Sequence, residues 1–394
     1  MRNLTSVSKL KTFFAHPFFQ DKRTLLGLWL ILPVVAAFLK INRNDNNFLI
    51  FKGVYWHTIQ QLPLYELYPN EYFDHNHYGP VFSLVIAPFA LMPHWLGLTL
   101  WLVALSLCMF VAVSRSSLSH LQQIFIFWFC AQTLLNSLFM QQFNIAIAGF
   151  VIASYFLIKK ENDFWAAFLI ILGTFVKLYG VVGLAFFFFS RHKMKLIGSL
   201  LFWSVVLFVA PMLISSPHYV VEQYGQWFAR LLVKNGENID SYRQNISALG
   251  MIRRISGNAS YSDLWLLLPA MFIFFMPYLR FKQYRNTGFQ MGILASVLLF
   301  VVLFSTGSES SSYIIALSGV CFWYLSAPGK RSSFDLGLII FAFLLSSMGS
   351  SDLFPRSFRR EVLTKYALKA LPCLLIWLKL SYEMMTRDYK TEDR

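Results

Sequence analysis

Apolar runs long enough to form whole helices follow one another along almost the entire chain, with only short polar turns between most of them. The first is Thr24 to Lys40. Others fall near 121–138, 143–158, 163–177, 179–190, 196–214, 264–279, 288–305, 310–326, 334–349 and 366–381. A water-soluble fold is excluded. Only 13% of the 394 residues are charged, where a soluble domain carries roughly twice that fraction. No soluble core could hide 41 Phe, 18 Tyr and 11 Trp together with so many aliphatic side chains. The alternating segments of a membrane β-barrel are absent. The expected class is an all-α polytopic membrane protein, a bundle of about twelve transmembrane helices.

Charge sets the expected orientation. The net charge is +15. In a greasy chain this predicts basic loops against anionic lipid on the cytoplasmic side, and no nucleic-acid partner. Residues 1–23 carry Arg2, Lys9, Lys11, Lys22 and Arg23, so they are expected in the cytoplasm, ahead of a retained first helix. The run Pro80 to Val113 is broken by Pro88 and Pro93. It fits one bent crossing, a half-helix plus a crossing, or two crossings. One net crossing puts Arg115, Lys159-Lys160, the 191–195 loop, the 280–285 loop and Lys330-Arg331 all on the cytoplasmic side, which the positive-inside rule favours. A membrane domain over 24–381 and a cytoplasmic tail over 382–394 follow. The weakest pair of spans, 163–177 and 179–190, suits a hairpin of partial helices. Cys108, Cys130, Cys321 and Cys373 all lie in apolar runs and read as buried packing residues.

Two outer segments remain: the first loop, 41–79, and an insertion from Ser215 to Asp263. The insertion is too short for an enzyme domain of its own. Within the first loop, Phe48 to Trp56 reads as an interfacial helix. The rest crowds Asp45, Glu71, Asp74, His75, His77 and Tyr78 together. A carboxylate there could act as a general base toward a hydroxyl. His75 and His77 have no cysteine or HExxH pattern beside them, so no metal is expected. Three further polar interruptions fall on the same side: Gln141-Gln142-Phe143-Asn144, Lys177 and Glu309. Amides there could hold sugar hydroxyls or satisfy neighbouring backbone. Lys177 could hold a phosphate or snorkel from a helix end. This one-sided placement favours a single extracytoplasmic site.

The order of these features resembles the GT-C class of polyprenol-phosphate-sugar-dependent glycosyltransferases, and within it glycosyltransferase family 87. The resemblance spans roughly 24–330. It rests on an outer-loop position followed by an aromatic-rich segment, Leu64-Tyr65, Tyr78-Gly79-Pro80-Val81-Phe82, Met92-Pro93, Leu100-Trp101, Gln142-Phe143-Asn144 and Lys177-Leu178-Tyr179. It implies a GT-C-like bundle with the site formed by extracytoplasmic loops, in a bacterial inner membrane with both termini cytoplasmic. It also implies a hexose, mannose among the candidates, moving from a polyprenyl-phosphate donor to a glycolipid or glycan acceptor. The lipid-linked sugar is a substrate, and no cofactor is implied. Lys177, helped by Arg243 or Arg254, would hold the donor phosphate. Asn47, Tyr78, Gln142, Asn144 and Glu309 would line the sugar or acceptor pocket. The family's first-loop pattern is similar to Asp-Phe-x-x-Tyr, but the aligned stretch here is Asn47-Phe48-Leu49-Ile50-Phe51. An amide cannot be a general base, so Asp45 or Asp74 is expected to take that role.

Two rival readings share these residues. A transporter or flippase for a lipid-linked sugar would use the same basic, aromatic cavity, although no repeated halves are visible in the sequence. A non-catalytic protein of envelope assembly would need no base.

Overall fold

The computed structural model describes residues 16–239, 241–258, 260–327 and 329–389. The basic Arg2, Lys9 and Lys11 of the N-terminal segment, and residues 390–394 of the tail, lie outside the described residues. All regular structure among the described residues is helical.

After a single turn at Pro17–Gln20 come α1 (Lys22–Lys40), α2 (Asn46–Gln60), α3 (Phe82–Ala90) and α4 (His94–Ser114). It continues through α5 (His120–Phe139), α6 (Asn144–Lys159) and α7 (Asp163–Val176). A 3-10 segment, Leu178–Phe189, leads into α8 (Lys193–Val209). Then come α9 (Pro217–Ile239), α10 (Ala248–Ser256), α11 (Leu264–Phe275), α12 (Thr287–Leu303) and α13 (Tyr313–Leu325). The last helices are α14 (Ser333–Phe341) and α15 (Ala370–Thr386).

Four helical runs are long and apolar enough to cross a membrane among the described residues: Lys22–Lys40, His94–Ser114, Lys193–Leu213 and Ser333–Ser350. Shorter apolar helices accompany them, including α6, α7, α12 and the Leu178–Phe189 segment. Of the roughly twelve crossings expected from the sequence, length and composition therefore support four directly. The Pro80–Val113 run resolves into a half-helix and a crossing. α3 has nine residues and reaches only about 13 Å. The chain then breaks at Met92-Pro93, and α4 starts afresh.

The arrangement inverts that of a soluble protein. α6, α12 and α13 are buried nearly throughout. α8 and α11 expose Leu201, Phe202, Val205, Trp265, Leu268 and Phe272 at the periphery. An apolar rim around an apolar centre is what lipid surroundings permit. Between helices, small hydroxyl residues form the polar contacts. Ser106 Oγ donates to the Trp29 carbonyl at 2.6 Å, Ser137 Oγ donates to the Ser311 carbonyl at 2.6 Å, and Thr133 and Ser347 share a hydroxyl bond of 2.9 Å.

α7 and the segment after it form a hairpin with Lys177 at its apex. Gly180 sits against Gly173 so closely that a Cβ would strike the Gly173–Thr174 backbone. Winding at about 2 Å per residue lets the twelve residues of Leu178–Phe189 cover about 24 Å, where an α-helix of that length would cover about 18 Å. This explains how so short a run returns along α7.

Loop contacts define one basic end. Lys160 Nζ donates to the Arg115 carbonyl at 2.7 Å, Arg191 pairs with Glu161 at 2.8 Å, and Lys159 Nζ donates to Thr287 Oγ1 at 2.9 Å. α15 runs five residues past the span expected to end at 381, because Glu383 gathers Arg331 at 3.2 Å, Lys379 at 3.1 Å and Arg387 at 3.6 Å around its last turn. The insertion at 215–263 is mostly helical. α9 buries Tyr219, Val220, Gln223 and Trp227 on one face, while Val221, Phe228 and Leu232 stay exposed on another.

Candidate active site

At the end where the Gln141–Asn144, Lys177 and Ser305–Glu309 turns meet, a cavity of about 370 Å³ opens between α2, the first loop and α9. Its floor is aromatic. Tyr78 packs on Phe82 at 4.7 Å and on Phe51 at 5.0 Å, while Trp101 stacks on Phe143 at 6.0 Å. Such a cluster is rigid and dry, and it fixes the polar groups above it.

The first loop is held onto this floor by amides. The Asn46 side chain bonds both backbone polar groups of Phe73, accepting from its N–H at 2.6 Å and donating to its carbonyl. Asp74 follows immediately, with φ of +89°. That conformation is uncommon for a residue with a Cβ and is retained only where the surroundings impose it. Asp74 Oδ1 accepts from the His75 N–H at 2.8 Å, and the side chain remains exposed along the cavity wall. Gly79 carries the loop past α7: its N–H donates to the Val176 carbonyl at 3.2 Å, and a Cβ there would collide with the Phe175 carbonyl. The Tyr78-Gly79-Pro80 and Lys177-Leu178-Tyr179 stretches are thus direct neighbours.

On the opposite wall the Lys177 Nζ donates to Asn144 Oδ1 at 2.7 Å. Asn144 Nδ2 donates to Gln142 Oε1 at 2.9 Å, and Gln142 Nε2 donates to Glu309 Oε2 at 2.9 Å. A continuous hydrogen-bonded row therefore runs from the ammonium to the carboxylate. Lys177 also lies over the Tyr179 ring at 4.9 Å, and no carboxylate comes within ion-pair distance of it among the described residues. Burial raises the Glu309 carboxyl above its ordinary range, with Lys177 and Gln142 opposing that shift.

The structure brings Asn47, Asp74, Tyr78, Gln142, Lys177 and Glu309 to this one cavity. Asn144 sits fully buried behind Lys177 and Gln142. Asn47 reaches it from α2, where its Nδ2 donates to the Met140 carbonyl at 2.8 Å. Three other residues do not line it. Asp45 is buried beside α4, accepting from His94 Nε2 at 2.8 Å and from the Asn42 N–H at 2.9 Å. Arg243 is exposed outside the lining. Arg254 spends its guanidinium on the carbonyls of Ser241 and Gln244, each at 2.7 Å, and of Thr364 at 2.9 Å.

Two further lining residues, Lys234 and His77, were given no site role by the sequence. Lys234 arrives on α9, a helix the composition hides within an insertion. His77 presents two buried ring nitrogens, and neither has a hydrogen-bond partner among the described residues. Burial, with the charges of Lys234 and Arg230 adding to it, pushes the imidazole down to about 3, so it is neutral at physiological pH. An orphaned neutral imidazole in a polar cavity can accept from one hydroxyl and donate to another. No three His, Cys, Asp or Glu side chains converge as a metal site among the described residues.

Chemically the cavity offers an exposed carboxylate, a lysine ammonium with no carboxylate in direct contact among the described residues, side-chain amides and an apolar lip formed by Phe228, Leu231 and Leu232. Residues 76–306 match the sequence model of glycosyltransferase family 87. No curated protein matches the chain.

Proposed function

From the chain's membership of glycosyltransferase family 87, whose match covers more than half of its length, we propose that this membrane glycosyltransferase moves a hexose from a polyprenyl-phosphate donor to a glycolipid or glycan hydroxyl. The observation that carries this reading is the pairing of Asp74 with Lys177 in one cavity. Asp74 takes the proton of the acceptor hydroxyl as that oxygen attacks the anomeric carbon. The bond from that carbon to the phosphate oxygen breaks, and Lys177 stabilises the charge that grows on the leaving lipid phosphate. A partly buried cation already fixed by Asn144 needs little reorganisation to do this.

Of the two carboxylates in the lining, Asp74 suits the base better. Glu309 is engaged by Gln142 and by the Ser312 backbone, whereas among the described residues Asp74 accepts only from its neighbour's N–H. The amides of Asn47 and Gln142, with His77, then orient sugar and acceptor hydroxyls. The lip of α9 suits the polyprenyl chain, since its exposed Phe228 and Leu232 continue from the cavity to the outer face of the helix. Under the orientation read from the basic loops, the site faces away from the cytoplasm.

The test uses the purified protein in vesicles with a radiolabelled polyprenyl-phosphate hexose. Label appearing on an acceptor lipid supports transfer. Intact donor crossing the bilayer without transfer supports the flippase reading instead.

A further inference from the structure

A second cavity, of about 330 Å³, lies beside the first. The wall between them is thin. Gln244 and Glu309 line the first cavity, while Ile246 and Ser310 line the second. Backbone bonds brace that wall, from Asn245 N–H to the Thr306 carbonyl at 2.9 Å and from Ile246 N–H to the Ser308 carbonyl at 2.8 Å. Apart from Ile246, every lining residue follows residue 306, where the family match ends.

The lining holds four cations, Arg356, Arg359, Arg360 and Lys369, and no carboxylate. Lys369 is only 4% exposed. Among the described residues its Nζ donates to neutral hydroxyls alone, Ser350 Oγ at 3.0 Å and Ser310 Oγ at 3.3 Å, and lies 5.0 Å from the Tyr313 ring centroid. Arg359 donates through its two terminal nitrogens to the exposed Asp352 at 2.8 Å and to the Ser350 carbonyl at 3.1 Å, yet its Nε is buried without a hydrogen-bond partner among the described residues. A buried ammonium with no counter-charge and an orphaned guanidinium donor are both costly unless an anion completes them.

The geometry points to a second anion site, one that takes the phosphate group of a lipid headgroup or of free phosphate. A phosphate group supplies two or more acceptor oxygens and at least one full negative charge, which suits arginines and a buried ammonium in one lining. The loop that carries the arginines also exposes Leu353 and Phe358. Basic and apolar side chains on one segment suit the surface of an anionic bilayer, and this favours the lipid source. The site stands apart from the proposed sugar transfer and does not depend on it.

The test compares the full-length protein with Lys369→Met and with the double variant Arg356→Gln/Arg360→Gln. Each is exchanged through bilayers of phosphatidylcholine alone or mixed with phosphatidylglycerol, and bound lipid is counted by native mass spectrometry. Inorganic phosphate is titrated separately by calorimetry. Wild type is expected to retain phosphatidylglycerol, and each variant to bind it about ten-fold more weakly, as loss of a charged hydrogen bond implies. Lys369→Arg should restore retention. Inorganic phosphate binding that both variants lose would assign the site to free phosphate. The double variant alters exposed side chains, so it decides the matter if Lys369→Met does not fold. Equal binding by wild type and the folded variants, or no binding of either probe by wild type, overturns the proposal.

Discussion

Gln142 Nε2 lies 2.9 Å from Glu309 Oε2, joining two turns that are 167 residues apart in the chain. Asn144 extends this bond to Lys177. The row fixes where the ammonium points before any substrate arrives. Glu309 holds the row at one end and Lys177 lines the cavity at the other, while Asp74 on the far loop stands outside the row.

Lys177→Met should fold, because the methionine fills the same volume without an uncompensated charge. Its sugar transfer should fall by about 10²–10³ in kcat, with a smaller change in KM for the acceptor. Steady-state kinetics in vesicles measures this. An unchanged kcat would remove Lys177 from the leaving-group role.

Glu309 carries a pH signature. Its folded carboxyl titrates above the usual range because of burial. The stability it contributes is therefore complete below its ordinary value of 4.5, and is lost as pH rises through the raised folded value. Glu309→Gln should melt higher than wild type at pH 8, by on the order of 2 °C, and the gap should close toward pH 4.5. Transfer should drop in the same variant, since the Gln142 orientation loses its charged anchor. Thermal melts across that range check the sign.

His77→Phe separates ligand binding from architecture. The imidazole is held down to about 3 against an ordinary 6.5, so below pH 6.5 the unfolded chain takes up a proton that the folded chain refuses. Wild-type stability therefore falls as pH drops from 6.5 toward 3. The phenylalanine variant escapes that loss and also removes two unsatisfied nitrogens. It should melt at or above the wild-type temperature at pH 7 and increasingly above it at pH 5, while transfer falls about ten-fold for want of the hydroxyl contact. A variant with full turnover would show that the orphaned nitrogens face no substrate.

Much of this site could be read from residue order. Gln142, Asn144, Lys177 and Glu309 stand out because each interrupts an apolar run, and a polar group inside a lipid-embedded bundle needs a reason. Asp45 was as plausible a base as Asp74, being two residues from Asn47. The start of α2 separates them: Asp45 precedes the helix in a non-helical conformation, and its carboxylate meets His94 and the Asn42 N–H, while Asn47 in the first turn lines the cavity. Lys234 was not legible as a cavity residue, and His77 was legible only as one of several polar residues in the first loop. Their positions depend on how α9 packs over the first loop, where Trp227 Nε1 donates to the His77 carbonyl at 2.9 Å, and no local pattern encodes that contact. The Leu178–Phe189 segment was legible as apolar but not as tightly wound, because its pitch follows from glycines packing on α7.

The most direct measurement compares Asp74→Asn with Asp45→Asn for hexose transfer in reconstituted vesicles, with melting temperatures recorded for both. The asparagine at 74 should lower turnover by about 10²–10⁴ without lowering the melt. The asparagine at 45 should keep turnover near wild type while weakening the contact with His94 and lowering the melt. Full turnover in Asp74→Asn would contradict the assignment of the base, and with it the central account of this cavity.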